Sequence, residues 1–338
     1  MGIAGVGGSL DAFHMPLSPA AEGGTRVRLS FTDLWFDAKG PLAGDALRGY
    51  VGKTLRGALG FALKRTACHD SRASCDACLL HEHCAYAIIF EGVPPAARQV
   101  MKKYPRIPQP FVLLLPGAKD ARSARTDLLC FGVRLIGQAS RAYPYVIQAV
   151  RSMCERGLGR ERTPFVLERV SDGRDVVYEA SSSVLRPPSA RRLDLCSDVP
   201  SDVRRIHIKF RTPVCLCADG RRAVLPTLEE VLRAAVRRTR LLATFYGEGE
   251  VAEVPKALLD AARASRGTWR SVRWHDIPRY SARQGRGMVL RGVTGHAVFD
   301  WPADVASPGA WLEAAKTFHI GKAVTFGFGG LDYRLESL

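Results

Sequence analysis

The sequence lacks an apolar segment long enough to cross a membrane. Its longest aliphatic run is Phe111–Leu115, whereas a membrane-spanning helix needs about 20 apolar residues. The N-terminus, residues 1–8, is rich in glycine and has neither a basic flank nor a sustained apolar stretch, so a signal peptide is not indicated. Val6 stands where N-myristoylation requires serine or threonine. We therefore expect a soluble, cytoplasmic protein with no membrane partner.

A Walker A motif is also missing, which argues against an NTPase. The glycine-rich stretch between Gly321 and Gly330 precedes a strand, whereas a dinucleotide-binding fingerprint runs from a strand into a helix. Glycines let a backbone approach phosphates closely, and exposed N–H groups can bind anions. Lys322, Gly327 and Gly329 are therefore candidate nucleic-acid contacts. An ordinary glycine turn before a final strand is the alternative.

Acidic residues are scarce relative to basic ones. The chain has 33 Asp and Glu against 49 Lys and Arg, a net charge of +16. Such an excess repels itself in a compact fold, and a polyanionic partner offsets that repulsion. Arginine dominates, and its planar fork suits phosphates and base edges. A generally basic, arginine-rich protein is the alternative explanation.

The cysteines do not form a disulfide framework, because their number, nine, is odd. Four of them lie in the motif Cys68-x6-Cys75-x2-Cys78-x5-Cys84, the cysteine cluster, which could complete a tetrahedral structural zinc site. Any of three interleaved histidines could replace one sulfur. An iron–sulfur cluster would need the same ligands, and reduced thiols without a metal are the third possibility. The other five cysteines are expected to be small buried residues.

The chain repeats one structural plan. Alternating apolar and polar residues predict strands at Arg26–Phe31 and Arg205–Phe210. A helical pattern follows each strand, the first from about Asp45 to Leu63 and the second from the capping box Thr227–Glu230. The polar, proline-bearing segment Ser181–Pro200 is the predicted boundary between the halves.

This plan predicts the α+β class, with two ferredoxin-like domains in tandem. We expect a flexible N-terminus at residues 1–24, one domain at 25–190 carrying the cysteine-cluster insertion at 68–84, and a second domain at 200–338. Within the second domain, short strands are predicted at Val289–Leu290 and Ala297–Phe299, and a helix from Ser307-Pro308 to His319.

Arginines concentrate in the second half of the chain. Between Arg263 and Arg291 there are eight arginines and a single acid, Asp276. The interleaved rings of Trp269, Trp274 and Tyr280 offer stacking faces for bases. We predict that Arg279–Gly287 is a polar loop that contacts a nucleic-acid backbone, whereas a solvated basic face would look similar. The candidate RNA contacts in the second half, besides those of the glycine-rich stretch, are Arg233, Arg237, Arg273, Arg279, Tyr280, Arg283 and Arg286.

Together, four segments resemble the CRISPR-associated RAMP endoribonucleases that release crRNA from its precursor. They are Leu47–Gly60, the cysteine cluster running into Tyr86 and Phe90, Arg279–Gly287, and His319–Gly330. The resemblance implies two ferredoxin-like (RRM/RAMP) domains with a basic cleft between them and a small metal-binding insertion. It further implies a prokaryotic protein that binds repeat RNA and other CRISPR effector subunits. Cleavage would need no metal, with a 2′-OH attacking the adjacent phosphate to leave a 2′,3′-cyclic phosphate.

That reaction needs a base, an acid and cations that stabilise the phosphorane. Histidine suits the base, but the predicted helix Asp45–Leu63, where many relatives carry one, has none. His319, beside the glycine-rich stretch, is therefore the candidate base, with Tyr50 and Lys53 orienting the substrate or stabilising charge. A helix C-cap is the alternative role for His319.

The missing histidine keeps a second function open, a catalytically silent RAMP subunit that only binds and positions crRNA. A zinc-containing DNA-binding regulator is weaker still, because no recognition-helix signature lies near the cysteines.

Overall fold

A computed structural model describes residues 28–41, 49–70, 74–95, 98, 100–116, 127–182, 184–195, 202–218, 221–248, 254–281 and 285–337. The predicted flexible N-terminus and Arg283 lie outside these residues. None of the helices in the described ranges is long and apolar enough to span a bilayer.

The first domain is built around its long first strand. In chain order its elements are β1 (Arg28–Lys39), α1 (Val51–Ala67), a short π-helix (Ala87–Glu91), β2 (Phe111–Leu114), β3 (Leu128–Ile136), a 3-10 turn (Gly137–Ala142), α2 (Tyr143–Glu155), β4 (Val166–Ser171), β5 (Val176–Glu179) and β6 (Arg191–Asp194). The strands run antiparallel in the order β2-β3-β1-β4-β5, and β6 pairs with the start of β1.

The second domain repeats this arrangement. Its elements are β7 (Val203–Val214), the short strands β8 (Cys217–Ala218) and β9 (Arg221–Arg222), α3 (Leu228–Tyr246), α4 (Lys256–Ala264), β10 (Gly267–Ser281), β11 (Arg286–Asp300), α5 (Gly309–Phe318), a 3-10 turn (Val324–Phe326) and β12 (Leu331–Ser337). The main sheet has the antiparallel order β10-β11-β7-β12.

Both domains therefore share one topology. In each, a strand and a helix are followed by a hairpin, a helix and a last strand. The first strand of each unit lies between the second hairpin strand and the last strand. This is the ferredoxin-like arrangement, and the predicted α+β class with two such units in tandem is confirmed.

The two faces of β1 serve two different cores. Successive residues of a strand point to opposite faces, so Leu34 and Phe36 pack with α1 and α2 in the core of the first domain. Leu29 and Phe31, on the other face, pack against Leu242 and Phe318 of the second domain. Apolar side chains therefore occur on both faces of β1, as expected for a strand that is covered on both sides.

A buried ion pair reinforces this contact between the domains. Arg134 donates two hydrogen bonds to the Asp33 carboxylate, at 2.6 and 2.7 Å, and a third to the Thr317 carbonyl at the end of α5. Arg191 adds a bond of 3.2 Å to Asp33. The position of α5, and of the glycine-rich stretch that follows it, is thus tied to the first sheet.

Two local predictions were incomplete and one was wrong. The predicted boundary segment Ser181–Pro200 also contains β6, which pairs with β1, so the first sheet ends at Asp194. The two short strands predicted after residue 288 are confirmed as strand, but they belong to one continuous strand, β11. The predicted loop Arg279–Gly287 is largely the end of the β10–β11 hairpin, because its arginines fill the polar positions of a strand pattern with period two.

Two helix starts also differ from prediction. α1 begins at Val51, because Gly49 has a positive φ of 77° that a helix cannot include. α5 begins at Gly309, so Pro308 is its N-cap and not its first helical residue. The capping box of α3 is confirmed, with Thr227 Oγ1 accepting from the Glu230 N–H at 3.2 Å.

Candidate nucleic-acid interface

A cavity of about 680 Å³, the first cavity, lies between the two domains. Its walls come from α1 and the π-helix of the first domain, and from α3, the β10–β11 hairpin and the 3-10 turn of the second. One acidic residue, Glu91, lines it. Six cationic residues line it as well: Lys53, Arg56, Lys64, Arg106, Arg238 and Arg279.

The cationic face of α1 follows from helical spacing. Lys53, Arg56 and Lys64 recur at intervals that bring side chains to one side of a helix. Leu55 and Leu59, on the other side, are fully buried in the core of the first domain. The amphipathic sequence of α1 therefore fixes which side faces the first cavity.

Aromatic rings hold two of the arginines in place. The Arg56 guanidinium lies over the rings of Phe90 and Phe326, at 5.1 and 4.7 Å from their centroids. Arg279 lies over the same Phe326 ring at 4.8 Å. Arg56 Nε also donates to Thr325 Oγ1 at 3.4 Å. These ring contacts orient both guanidinium groups at the wall of the first cavity.

The glycine-rich stretch uses its backbone amides internally. The Gly327 N–H donates to the Val324 carbonyl and the Gly329 N–H to the Pro213 carbonyl, each at 2.9 Å. Both glycines are buried and have positive φ, 85° and 74°. The prediction that they contact RNA is wrong, because these N–H groups are neither exposed nor free. Glycine is needed for the turn itself, since a Cβ at Gly329 would lie 1.9 Å from the Ile320 carbonyl oxygen.

His319 lies in the interior. It is 4% exposed, and its Nδ1 donates to the Phe328 carbonyl at 2.9 Å. Burial lowers the pKa of His319 to about 3, so the ring stays neutral at physiological pH. The side chain does not line the first cavity. The predicted role of general base is contradicted, because a base must reach the proton that it removes.

The other two predicted catalytic residues, Lys53 and Tyr50, lie in different environments. Lys53 lines the first cavity, and its Nζ donates to the Pro278 carbonyl on the hairpin at 3.2 Å. Tyr50 is packed edge-to-face against Phe328 at 5.1 Å, outside the lining of the cavity. Its buried hydroxyl has no hydrogen-bond partner among the described residues, and burial raises its pKa. Tyr50 is therefore a packing residue in this arrangement.

Further histidines of the described ranges also lie elsewhere. His207 donates from Nε2 to Glu336 at 2.8 Å and stacks on His296, with 5.6 Å between ring centroids. His275 is hydrogen-bonded to Thr294 at 2.8 Å. No described histidine lines the first cavity.

The remaining predicted contacts fall into three groups. Arg279 and Tyr280 line the first cavity, where Tyr280 is 69% exposed. Arg233, Arg237 and Lys322 line a second cavity of about 1000 Å³, which shares Pro108 and Arg238 with the first. Exposed residues that line neither cavity are Arg273 and Arg286.

The two tryptophans interleaved with these arginines differ in their exposure. Trp274 is 50% exposed. Trp269 instead stacks on Phe210 against the core, with 5.3 Å between centroids. Trp269 is therefore not available to stack on a base.

The cysteine cluster lies beside the first cavity. Its four thiols are free and partly buried. Within the described ranges, no group of three or more His, Cys, Asp or Glu side chains is arranged to hold a metal ion. Burial and the nearby Glu91 raise the pKa of Cys75. Asp76, next to Cys75, accepts hydrogen bonds from both terminal nitrogens of Arg106, one of them at 2.8 Å.

Several residues at the first cavity escaped prediction. Arg56 and Lys64 share a helical face with Lys53, so a helical-wheel projection from Lys53 would have identified them. Arg238 extends the basic surface predicted on the second helix, and Phe326 lies in the glycine-rich stretch, but no local pattern indicates that these residues or Arg106 reach the first cavity.

Family models match the two domains in turn. A family described as the AF_1859 N-terminal domain matches residues 29–190. The family of the CRISPR-associated endoribonuclease Cas6 matches residues 208–331. The second match covers the hairpin and the glycine-rich stretch that border the first cavity.

Similar proteins include an uncharacterised protein of Archaeoglobus fulgidus. It is 25% identical over 254 residues, which are 73% of this chain and 79% of that protein. Among solved structures, Thermus thermophilus Cas6 covers 92% of this chain and 100% of its own, with 14% identity and a TM-score of 0.51. A product complex of that Cas6 covers 90% and 100%, with 16% identity and a TM-score of 0.50. These structures share the tandem ferredoxin-like fold of this chain.

Proposed function

We propose that this chain is a CRISPR-associated endoribonuclease of the Cas6 family, whose model matches residues 208–331, and that it binds the repeat of precursor crRNA between its domains and cleaves it there. The observation that carries the proposal is the first cavity, where six cationic residues meet one acidic residue, and where five cations remain once Arg106 is counted as paired with Asp76 and Glu91. A polyanion offsets that imbalance, and the cavity also offers the exposed ring of Tyr280 for stacking on an unpaired base.

The proposed reaction is attack by a ribose 2′-oxygen on the adjacent phosphate. The new P–O2′ bond forms as the P–O5′ bond breaks, leaving a 2′,3′-cyclic phosphate and a 5′-hydroxyl. The 2′-OH proton passes to water, and the Lys53 ammonium donates a proton to the leaving oxygen. Arg56 and Arg279 stabilise the additional negative charge of the phosphorane, a kind of stabilisation that contributes strongly to catalysis.

In the proposed reaction, the cations contribute more to the rate than a general base does. No histidine lines the first cavity among the described residues. Positioning the scissile phosphate and neutralising its charge are then the main sources of rate, and neither needs a metal ion. We expect slower cleavage than an enzyme with a well-placed histidine achieves, by the roughly 10²–10⁴-fold that general acid–base catalysis contributes.

The same observation favours a second candidate, a catalytically silent subunit that binds and positions crRNA. His319, the base that the sequence suggested, is buried, with only 4% of its surface exposed. In this alternative the first cavity holds the RNA and no bond is broken.

Labelled repeat RNA incubated with the protein in EDTA separates the two candidates. We expect a single cut that gives a cyclic-phosphate end, and no cut when the nucleotide 5′ of the scissile bond is 2′-deoxy. Retention of uncut RNA by the same protein would establish the silent subunit. Arg56→Ala with Arg279→Ala is expected to abolish cleavage, while Arg160→Ala with Arg186→Ala, two exposed arginines that line neither cavity, serves as the matched control.

We also propose that the cysteine cluster holds one structural zinc ion, with an iron–sulfur cluster as the competing use of the same four ligands. The spacing of the thiols and their free, partly buried state support a metal. Since no metal-binding group is preformed in the described ranges, binding has to draw the four sulfurs together. Catalysis uses no cofactor in this proposal.

The partners that we propose besides repeat RNA are other subunits of a CRISPR effector complex. Such an association would follow if the cleaved crRNA stays bound. Co-purification of tagged protein with crRNA and further subunits from its own host tests this proposal.

A further inference from the structure

The second cavity has a surplus of positive charge that the protein itself does not balance. Its acidic residues, Glu229 and Glu230, are already engaged. Glu229 accepts from Arg233 at 2.8 Å and from Arg263 at 3.0 Å, and these arginines lower its pKa. Glu230 closes the capping box of α3 by accepting from the Thr227 N–H at 2.8 Å.

Three other cations of this cavity have no acidic partner among the described residues: Arg237, Arg238 and Lys322. Arg237 lies on the exposed face of α3 opposite the apolar stripe that packs in the core, whereas Arg238 borders that stripe and is largely buried. Lys322 lies across the cavity, beside Cys215, whose carbonyl accepts from the Lys322 N–H at 2.9 Å. These charges are therefore held in place by structured elements of the second domain.

Arg238 stands at the junction of the two cavities. Its Nε donates to the Phe318 carbonyl at 2.7 Å, but its buried Nη2 has no hydrogen-bond partner in the part of the chain that the structure describes. Leaving a charged donor buried and unpaired costs free energy, and an anion bound at the junction would offset that cost. Arg238 and Pro108 line both cavities, so one strand can contact them in succession.

The linings of the two cavities differ in one respect that bears on the ligand. Five aromatic residues line the first cavity: Phe61, Tyr86, Phe90, Tyr280 and Phe326. The described lining of the second has no aromatic residue and consists of cations, the two engaged acids and small or aliphatic groups. Such a surface suits phosphates and offers no stacking platform for bases.

We infer that the second cavity is a separate subsite for the sugar–phosphate backbone of the single-stranded RNA that flanks the segment in the first cavity, with Arg238 contacting the phosphate at the junction. This inference rests on the proposed function of the first cavity. It implies that the flank is held regardless of its sequence and that RNA length, not only repeat identity, sets affinity.

The test compares two RNAs, the repeat segment alone and the same segment extended by uridines on its 5′ or its 3′ side. The wild-type protein is expected to bind one of the extended RNAs more tightly. Arg237→Ala with Lys322→Ala should lose that gain and keep the affinity for the unextended RNA. The salt dependence for the extended RNA should flatten by about 1.4 in the slope of log K against log [salt], since each phosphate contact to a single strand contributes about 0.7.

Arg160→Ala with Arg186→Ala removes the same charge outside both cavities and should change neither quantity. Both altered residues of the test pair are exposed, so thermal unfolding is expected to show an intact fold. If the wild type fails to bind the unextended RNA, the proposed function fails. If it binds that RNA but gains nothing from extension on either side, or if the variant keeps the gain, the second subsite is refuted. If the second cavity binds an acidic protein and not RNA, extending the RNA on either side is expected to add no affinity.

Discussion

The strongest structural prediction concerns the ion pair that ties the two domains together. The side chains of Asp33 and Arg134 are 4% and 11% exposed, and two short hydrogen bonds join them. Replacing Asp33 by asparagine keeps the size of the side chain but leaves the Arg134 charge uncompensated. Breaking a buried pair from one side costs about 3–5 kcal/mol.

The expected loss is large enough to measure by thermal unfolding. With about 2–4 °C lost per kcal/mol in domains of 150–250 residues, Asp33→Asn should lower Tm by about 6–20 °C. Asp260→Asn is the matched control, because Asp260 is exposed and lies 4.0 Å from Arg263, and an exposed pair contributes at most about 1 kcal/mol.

A double variant separates the cost of an unpaired charge from the value of the pair. Replacing both partners by apolar residues removes the buried charge together with its counterion, and such replacements are often close to neutral. Asp33→Leu with Arg134→Met should therefore be more stable than Asp33→Asn. Equal Tm values for Asp33→Asn and Asp260→Asn would refute the reasoning. A double variant that is less stable than Asp33→Asn would refute it as well.

Three further predictions concern the site. Arg56→Ala and Arg279→Ala should each weaken repeat RNA binding and reduce its salt slope by about 0.7, as expected for one phosphate contact; losses no larger than that of Arg160→Ala, measured by filter binding, would contradict this. His319→Ala should lower Tm but leave the pH dependence of cleavage between pH 5.5 and 8 unchanged, because a pKa of about 3 lies below that window; loss of an ionisation in that window would restore His319 as the base. Elemental analysis should find close to one zinc per chain and much less in Cys78→Ser, whereas absence of both zinc and iron from the wild type would remove the metal proposal.

Local patterns predicted most of the fold. Alternating apolar residues located β1 and β7, and the capping box located the start of α3, because each signal depends on residues close together in the chain. The β10–β11 hairpin was missed for a physical reason. Its outward positions carry arginines, so the polar half of a strand pattern resembled a loop.

The composition of the site was less predictable, because tertiary packing assembles it. Lys53 lies on an amphipathic helix and could be inferred, whereas Arg238 and Phe326 reach the first cavity only through the docking of the second domain. His319 shows the limit most clearly. Its position beside the glycine-rich stretch was correct, but the ring is turned into the interior, where its Nδ1 donates to the Phe328 carbonyl.

The sequence correctly indicated that Gly327 and Gly329 are special positions, but it assigned their amides to RNA. Positive φ at Gly327 and Gly329 requires glycine, yet the amides that the turn creates are consumed by Val324 and Pro213. Whether an amide in such a turn is free depends on the partner strand, which sequence spacing does not reveal.

The claim that RNA lies between the domains can be tested directly on the unmodified protein. Lysine acylation with and without repeat RNA, read by mass spectrometry, compares residues that line the cavities with residues that do not. Bound repeat RNA should protect Lys53 and Lys64, a flanking extension should add protection of Lys322, and Lys102 and Lys316 should stay as reactive as before. Equal protection of all five lysines, or protection of Lys102 and Lys316 alone, would contradict the account.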